Sequence, residues 1–197
     1  MRAPTPPLPL LLGSASPRRR EILTVLGIPH VVSPQEVDET RRAGESPDAY
    51  LMRIVGDKRD RALTVWDAAT CSAVLVADTS VIVDGDVLGK PADDEDGRRM
   101  IARLAGRTHE VHTRFCLHAT HGAAAETIVT AVSFRPMSKE QIARYVASEE
   151  GRDKAGGYAI QGRAAGFVTA INGSYTNVVG LPASDVLAAL EQLGLAP

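Results

Sequence analysis

Fourteen residues near the start of the chain, Leu10-Leu11-Leu12-Gly13-Ser14-Ala15-Ser16-Pro17-Arg18-Arg19-Arg20-Glu21-Ile22-Leu23, restrict the possible folds more than any other stretch. The apolar run before Gly13 reads as a short buried strand. Ser16 is a good helix N-cap, and Pro17 suits the first helical position, where a missing N–H costs nothing. A strand end, a tight turn and a helix start therefore follow within a few residues. The helix then opens with Arg18, Arg19 and Arg20. Cations are disfavoured there, because the free N–H groups already carry partial positive charge. A phosphate at the turn would remove the conflict, and the planar guanidinium fork suits phosphate oxygens. The alternative is a solvated first turn with Glu21 offsetting part of the charge.

A phosphate polymer is a poor match for the rest of the chain. The formal charge over 197 residues is -2, so a positive site must be local, which favours a small anionic ligand over nucleic acid or an anionic membrane. With 44% hydrophobic residues, the chain has enough for one domain with a sizeable core, taken as residues 1–197 with a flexible proline-rich lead over 1–9. Cys71 and Cys116 form no C-x-x-C and have no histidine cluster near them, which speaks against a disulfide framework or zinc site and fits a reducing cytoplasm. The run before Gly13 is broken by Pro6, Pro7 and Pro9 and is too short for a signal-peptide core or a membrane span.

Further along, a helix from Ser46 or Pro47 to about Trp66 is predicted, after a second strand over 28–33 and a polar loop over 33–47 carrying Glu36, Asp38 and Glu39. Lys58 falls on its apolar face, with Leu51, Ile54, Val55 and Ala62. Buried lysine needs a counter-charge, although its stem can snorkel, and spacing alone does not choose between a functional and a structural role. Ala73 to Thr79 reads as a strand buried on both faces with Asp78 at its carboxyl end, the edge where ligands collect in open α/β sheets. A hairpin around Asp84-Gly85 follows, and Gly89-Lys90-Pro91 sets a second lysine in a constrained loop.

The remaining pattern gives a helix from Asp93 or Asp94 to Leu104 and strands over 110–118 and 127–135. A capping box at Ser138-Lys139-Glu140-Gln141 opens a helix to about Glu149. His109 and His112 point to opposite faces of a strand and make a poor metal pair, so both read as structural. The glycine-rich stretch 151–166 implies close backbone approach or an adaptable lid. Residues 167–171 and 175–179 read as a closing hairpin, and Ser184 as the cap of a last helix stopped by Gly194.

Neither G-x-x-x-x-G-K-[ST] nor a strand-linked G-x-G-x-x-G is present. What remains is arginines at a helix start, lysines at 58 and 90 and carboxylates at 39 and 78. Together these suit a polyphosphate held by cations, with a divalent metal on the acids. Ser14-Ala15-Ser16-Pro17-Arg18-Arg19, Ala77-Asp78-Thr79, Gly89-Lys90-Pro91, Asp153-Lys154-Ala155-Gly156, Tyr158-Ala159-Ile160-Gln161-Gly162 and Gly173-Ser174-Tyr175 with Val179-Gly180-Leu181-Pro182 resemble the Maf family of nucleoside triphosphate pyrophosphatases in order and spacing, over residues 10 to about 185.

The resemblance implies an α/β fold, a mixed twisted sheet flanked by helices and similar to that of inosine triphosphatases. It implies metal-dependent cleavage of a nucleoside triphosphate, dTTP or UTP, to the monophosphate and pyrophosphate, with Mg or Mn as the divalent cofactor. It makes Asp78 the catalytic base or a metal ligand, pairs Glu39 with it at the metal, and gives Ser14, Arg18, Arg19, Lys58 and Lys90 to the triphosphate. Arg18, Thr79 and Gln161 would set base preference. The expected partner is the triphosphate substrate, with no nucleic-acid polymer and no membrane, and a homodimer is the candidate assembly. The sister specificity for 7-methyl-GTP, and a nucleotide-binding regulator of cell division without turnover, are the competing readings. One departure is Gly151 after Glu150, where the family often carries proline, which bears on the stiffness of the loop that follows.

Overall fold

The computed structural model describes residues 8–195, and the expectation of a flexible lead falls mostly on residues 1–7, outside them. Leu8 and Pro9 are tied to Ser72, whose hydroxyl donates to the Leu8 carbonyl at 3.1 Å and whose amide donates to the Pro9 carbonyl at 2.9 Å. Among the described residues, seven strands form one mixed sheet. Its first half is parallel: β1 (Leu10–Leu12) lies between β2 (His30–Val32) and β3 (Ala73–Val83), and α1 (Pro17–Val25) and α2 (Pro47–Leu63) make the crossovers. Its second half is antiparallel, running from β3 to β5 (Thr108–Ala119), β6 (Gly122–Phe134) and β7 (Val168–Asn172), with the short β4 (Asp86–Leu88) folded back on β3 through the expected Asp84-Gly85 turn.

Strand alternation sorts the core into layers. Leu10, Leu12, Leu75, Phe115 and Leu117 pack with Leu23 of α1 and with Val186 and Leu190 of α6 (Ala183–Gln192). Leu11, Val74 and Val76, on the other face, meet Val55 and Ala62 of α2. Val81, Val83, Val111 and Phe134 form a third cluster with α3 (Asp94–Leu104) and α4 (Lys139–Val146). Each fully buried Leu or Phe contributes about 1.5–3 kcal/mol, so these clusters anchor both halves of the sheet.

Asp78 is not at a strand end. β3 runs on for five residues beyond it, because it exchanges one neighbour for another. On that edge β1 pairs with β3 only as far as Leu12 opposite Leu75, and pairing with β4 starts only at Val81 opposite Leu88. Residues 76–80 thus have β5 on one side and, among the described residues, no strand on the other. The expected carboxyl-end crevice exists, but it belongs to β1, and Asp78 lines it from the middle of its neighbour.

The expected hairpin over 167–179 is also corrected. Val168–Asn172 is a strand, but Tyr175–Val179 is α5, a single helical turn. Tertiary bonds override its β-branched composition. Ser174 accepts from Asn177 N, while buried Asn177 donates through Nδ2 to Val111 O and to Thr130 Oγ1, both at 2.9 Å. The last helix opens at Ala183 after Pro182, and Ser184 lies inside it. Pro182 stands at the N-cap without a side-chain capping bond, and Thr176 Oγ1 accepts from the Ala183 amide at the first helical position at 3.0 Å. The helix expected to reach Trp66 ends at Leu63, and the capping box of α4 forms as expected.

Candidate active site

A cleft of about 780 Å³ lies along the open stretch of β3. The β1–α1 turn, the segment 34–39, the Gly89-Lys90 loop and the segments 153–155 and 158–161 line it. Gly13 lets the first of these approach, since a Cβ there would fall 2.7 Å from Val76 Cγ1. Ser16 precedes α1 in extended conformation, but its side chain makes no capping bond, so no cap takes the first-turn N–H groups.

All the residues singled out in the sequence for the site line this cleft, at different depths. Lys58 is buried at 7% exposure on the apolar face of α2, and its counter-charge is double: Nζ lies 2.8 Å from Asp78 Oδ1 and 2.7 Å from Glu39 Oε1. One cation between two carboxylates leaves a net charge of -1, with Asp78 Oδ2 and Glu39 Oε2 outside the ion pairs. Burial acts most strongly on Glu39, raising its pKa, yet the Lys58 hydrogen bond and the charges of Lys58, Lys90 and Arg19 outweigh it and hold the carboxyl below its usual value. The two acids also push the Tyr50 phenol up to about 12, after burial as the larger cause.

Arg19 is equally deep but partnered differently. Nε donates to Gly180 O at 2.8 Å, Nη1 to Ser14 Oγ at 2.9 Å and to Ala77 O at 2.8 Å, and Nη2 to Thr79 Oγ1 at 3.1 Å. Four of its five N–H donors are thereby used, all on neutral oxygens. Burial lowers its pKa, against the attraction of Asp78. Arg18 Nε donates to Val179 O at 3.3 Å, and Nη1 lies 3.9 Å from Asp153 across the cleft mouth. Arg20 is exposed.

Lys90 and Gln161 are exposed on the cleft wall, whereas Thr79 is half-buried with its hydroxyl engaged by Arg19 and Thr113. The loop bearing Gln161 is braced from below: Ala159 N donates to Tyr145 Oη at 3.0 Å, and Arg163 N donates to Glu150 Oε2 at 2.9 Å. Gly151 brings this loop in close, since a Cβ there would fall 1.8 Å from Gly157 O. A proline at that position has no room in this chain. His109 is buried with Nε2 2.9 Å from Tyr158 Oη, and burial pushes its pKa down to about 4. His112 pairs instead with Glu110 Oε2 at 2.8 Å, so the two histidines do not converge.

Tyr50 was not singled out in the sequence, although it stands eight residues before Lys58 on α2 and its hydroxyl donates to Glu39 O at 3.2 Å. The signal was available as helical spacing on a charged helix opposite an acidic loop. No group of three or more His, Cys, Asp or Glu that could hold a metal occurs among the described residues. The donor set is two carboxylates meeting at one nitrogen, which suits a hard divalent ion completed by phosphate oxygens and water.

The sequence matches the Maf-like protein family over residues 9–193. The chain belongs to the Maf family. Maf relatives align along nearly all of it. A dTTP/UTP pyrophosphatase of Anaeromyxobacter sp. (strain Fw109-5) is 44% identical over 190 residues, covering 94% of this chain and 89% of that protein. One from Myxococcus xanthus is 45% identical over 188 residues, covering 94% and 93%. One from Neisseria gonorrhoeae is 40% identical over 192 residues, covering 95% of each. Among solved structures, the Staphylococcus aureus Ham1 protein aligns with a TM-score of 0.42 at 12% identity over 64% of this Maf chain and 71% of that one.

Proposed function

We propose that this Maf chain is a nucleoside triphosphate pyrophosphatase that hydrolyses dTTP and UTP to the monophosphate and pyrophosphate. The observation that carries the reading is the Lys58-bridged pair of Glu39 and Asp78 on the open edge of β3, across the cleft from uncapped N–H groups and Arg18. Relatives bearing that activity as their name support the choice of substrate.

The triphosphate lies with its anionic oxygens toward the β1–α1 turn, Arg18 and Lys90, which offset the charge that builds on the departing pyrophosphate. A water attacks the α-phosphorus, the bond to the bridging oxygen breaks, and the water gives up its proton. Asp78 either takes that proton or holds the divalent ion beside it. Glu39 and Asp78 are the residues that would hold Mg or Mn, and when bound the ion supplies charge stabilisation at the phosphoryl oxygens. Lys58 keeps the two acids at one point. Arg19 acts through position and charge, since its donors are already committed to Ser14, Ala77, Thr79 and Gly180.

The base is read at the other end. Gln161 presents an amide N–H donor and a carbonyl acceptor, which together match a carbonyl and the N3–H of uracil or thymine.

The test is kcat/KM for dTTP, UTP, CTP, GTP and 7-methyl-GTP with Mg or Mn, with products identified by phosphorus NMR. dTTP and UTP should lead, with monophosphate and pyrophosphate as products, and Gln161→Ala should cut the preference over CTP about tenfold. Diphosphate plus orthophosphate would refute the chemistry, a preference for 7-methyl-GTP the substrate, and binding without turnover the enzyme.

A further inference from the structure

Glu39 belongs to the segment between β2 and α2, which has no helix or strand of its own. Every residue from 38 to 44 is exposed, so little burial offsets the entropy lost in ordering them. Yet the Glu39 carboxylate stands 2.7 Å from Lys58 Nζ. The order comes from α2, which grips three consecutive carbonyls. Tyr50 Oη donates to Glu39 O at 3.2 Å, Arg53 Nη1 donates to Asp38 O at 3.2 Å, and Arg53 Nη2 donates to Thr40 O at 3.0 Å. Arg53 is itself fixed by a two-point pair with Glu45, Nε to Oε1 at 2.7 Å and Nη2 to Oε2 at 2.9 Å, the two side chains being 13% and 9% exposed. Its guanidinium carbon sits 5.6 Å over the Tyr50 ring.

We propose that Arg53, locked by Glu45, is a positioning residue that fixes the 38–45 loop so that Glu39 joins Asp78 at a divalent cation. This rests on the pyrophosphatase reading for the cation, but not for the ordering of the loop. Arg53 touches neither Glu39's carboxylate nor Asp78. It acts on the peptide groups flanking Glu39, and this requires the planar fork rather than a positive charge alone. Lysine at this position would keep the charge and lose the simultaneous hold on Glu45, Asp38 and Thr40.

Arg53→Met, Arg53→Lys and Glu45→Gln are compared with wild type in two measurements that need no turnover: amide hydrogen exchange over residues 38–45, and Mn2+ binding followed by EPR with α,β-imido-dUTP present. Arg53→Met should speed exchange in this loop at least about tenfold while leaving β3 and β5 unchanged. It should raise the half-saturating Mn2+ concentration about tenfold. Turnover at saturating Mn2+ should return to within about threefold of wild type, a recovery that a merely destabilised protein would not show. Arg53→Lys should behave like Arg53→Met, and Glu45→Gln should shift both readouts in the same direction by a smaller factor. Wild-type exchange and Mn2+ binding in folded Arg53→Met would overturn the proposal, as would a loss of turnover that Mn2+ does not restore. If Arg53→Met fails to fold, an unchanged Glu45→Gln overturns it. Absence of dTTP cleavage by the wild-type chain would refute the proposed function and leave the exchange comparison decisive for the loop.

Discussion

Lys58 and Arg19 are buried cations on either side of the same cleft, but their surroundings differ. Lys58 faces two carboxylates within 2.8 Å, and its cluster is left one charge negative. Arg19 faces four neutral oxygens and, among the described residues, makes no ion pair, so its charge stays uncompensated at contact range. The first arrangement is suited to gather a cation, and the second ties the β1–α1 turn to β3 and to Gly180. Burial of a positive group therefore says little about its role until its partners are known.

The largest effect expected is at Asp78. Asp78→Asn keeps the size and loses the charge that faces Lys58, and turnover should fall at least about 1000-fold, or about 4 kcal/mol at 1.36 kcal/mol per decade, with little change in melting temperature. Retention of a tenth of wild-type rate would remove Asp78 from the mechanism.

Arg19→Met should do the reverse. Removing four hydrogen bonds from a buried charged donor, to Ala77 O, Gly180 O and the Ser14 and Thr79 hydroxyls, should cost about 3–5 kcal/mol of stability by urea unfolding, while the folded fraction keeps turnover within about tenfold. A hundredfold loss at unchanged stability would make Arg19 a substrate ligand and collapse the contrast.

A third buried base sharpens the comparison, because His109 meets burial by shedding its proton. Unfolded, it binds a proton as pH falls below about 6.5, whereas in the folded protein this waits until about 4. Between those values the unfolded chain holds more protons, so stability drops with falling pH, by up to about 3 kcal/mol from this residue. His109→Gln should flatten that part of the stability profile. Parallel profiles between pH 7 and 4.5 would exclude His109 as the cause.

Lys58→Met should cost about 100-fold in turnover, because two acids no longer meet at one point, and less in stability than in rate, since the apolar stem is preserved and the Glu39 side chain, 45% exposed, can turn to solvent. A large fall in melting temperature with normal rate in the folded fraction would move Lys58 into the same class as Arg19.

The legible parts of the sequence were those where local pattern and tertiary demand agree. Helical spacing put Lys58 on the apolar face of α2, where it needed a counter-charge. Ser138 and Gln141 announced their capping box, and Asp84-Gly85 its turn. What stayed hidden depended on neighbours distant in sequence. Nothing within Tyr175–Val179 shows that the Asn177 side-chain amide will donate to Val111 O and Thr130 Oγ1, so a β-rich run became a helical turn. Nothing within Ala73–Val83 shows that β1 leaves at Leu75 and β4 arrives at Val81, so Asp78 looked like a strand end. Three arginines in a row were readable as a cationic turn, but not their division into one at the cleft mouth, one buried and one in solvent.

The uninterrupted course of β3 beneath the cleft also governs how the molecule can respond to a ligand. A strand hydrogen-bonded to β5 from Ala73 to Ile82 cannot act as a hinge without breaking that ladder, so the two halves of the sheet form one rigid floor. With 38–45 held by Arg53 and the Gln161 loop braced by Tyr145 and Glu150, adjustment to a ligand falls to the exposed Gly89-Lys90 loop, so binding would appear in backbone relaxation as quenched nanosecond motion there, with the order parameters of β3 and β5 unchanged, rather than as a rotation of one lobe toward the other.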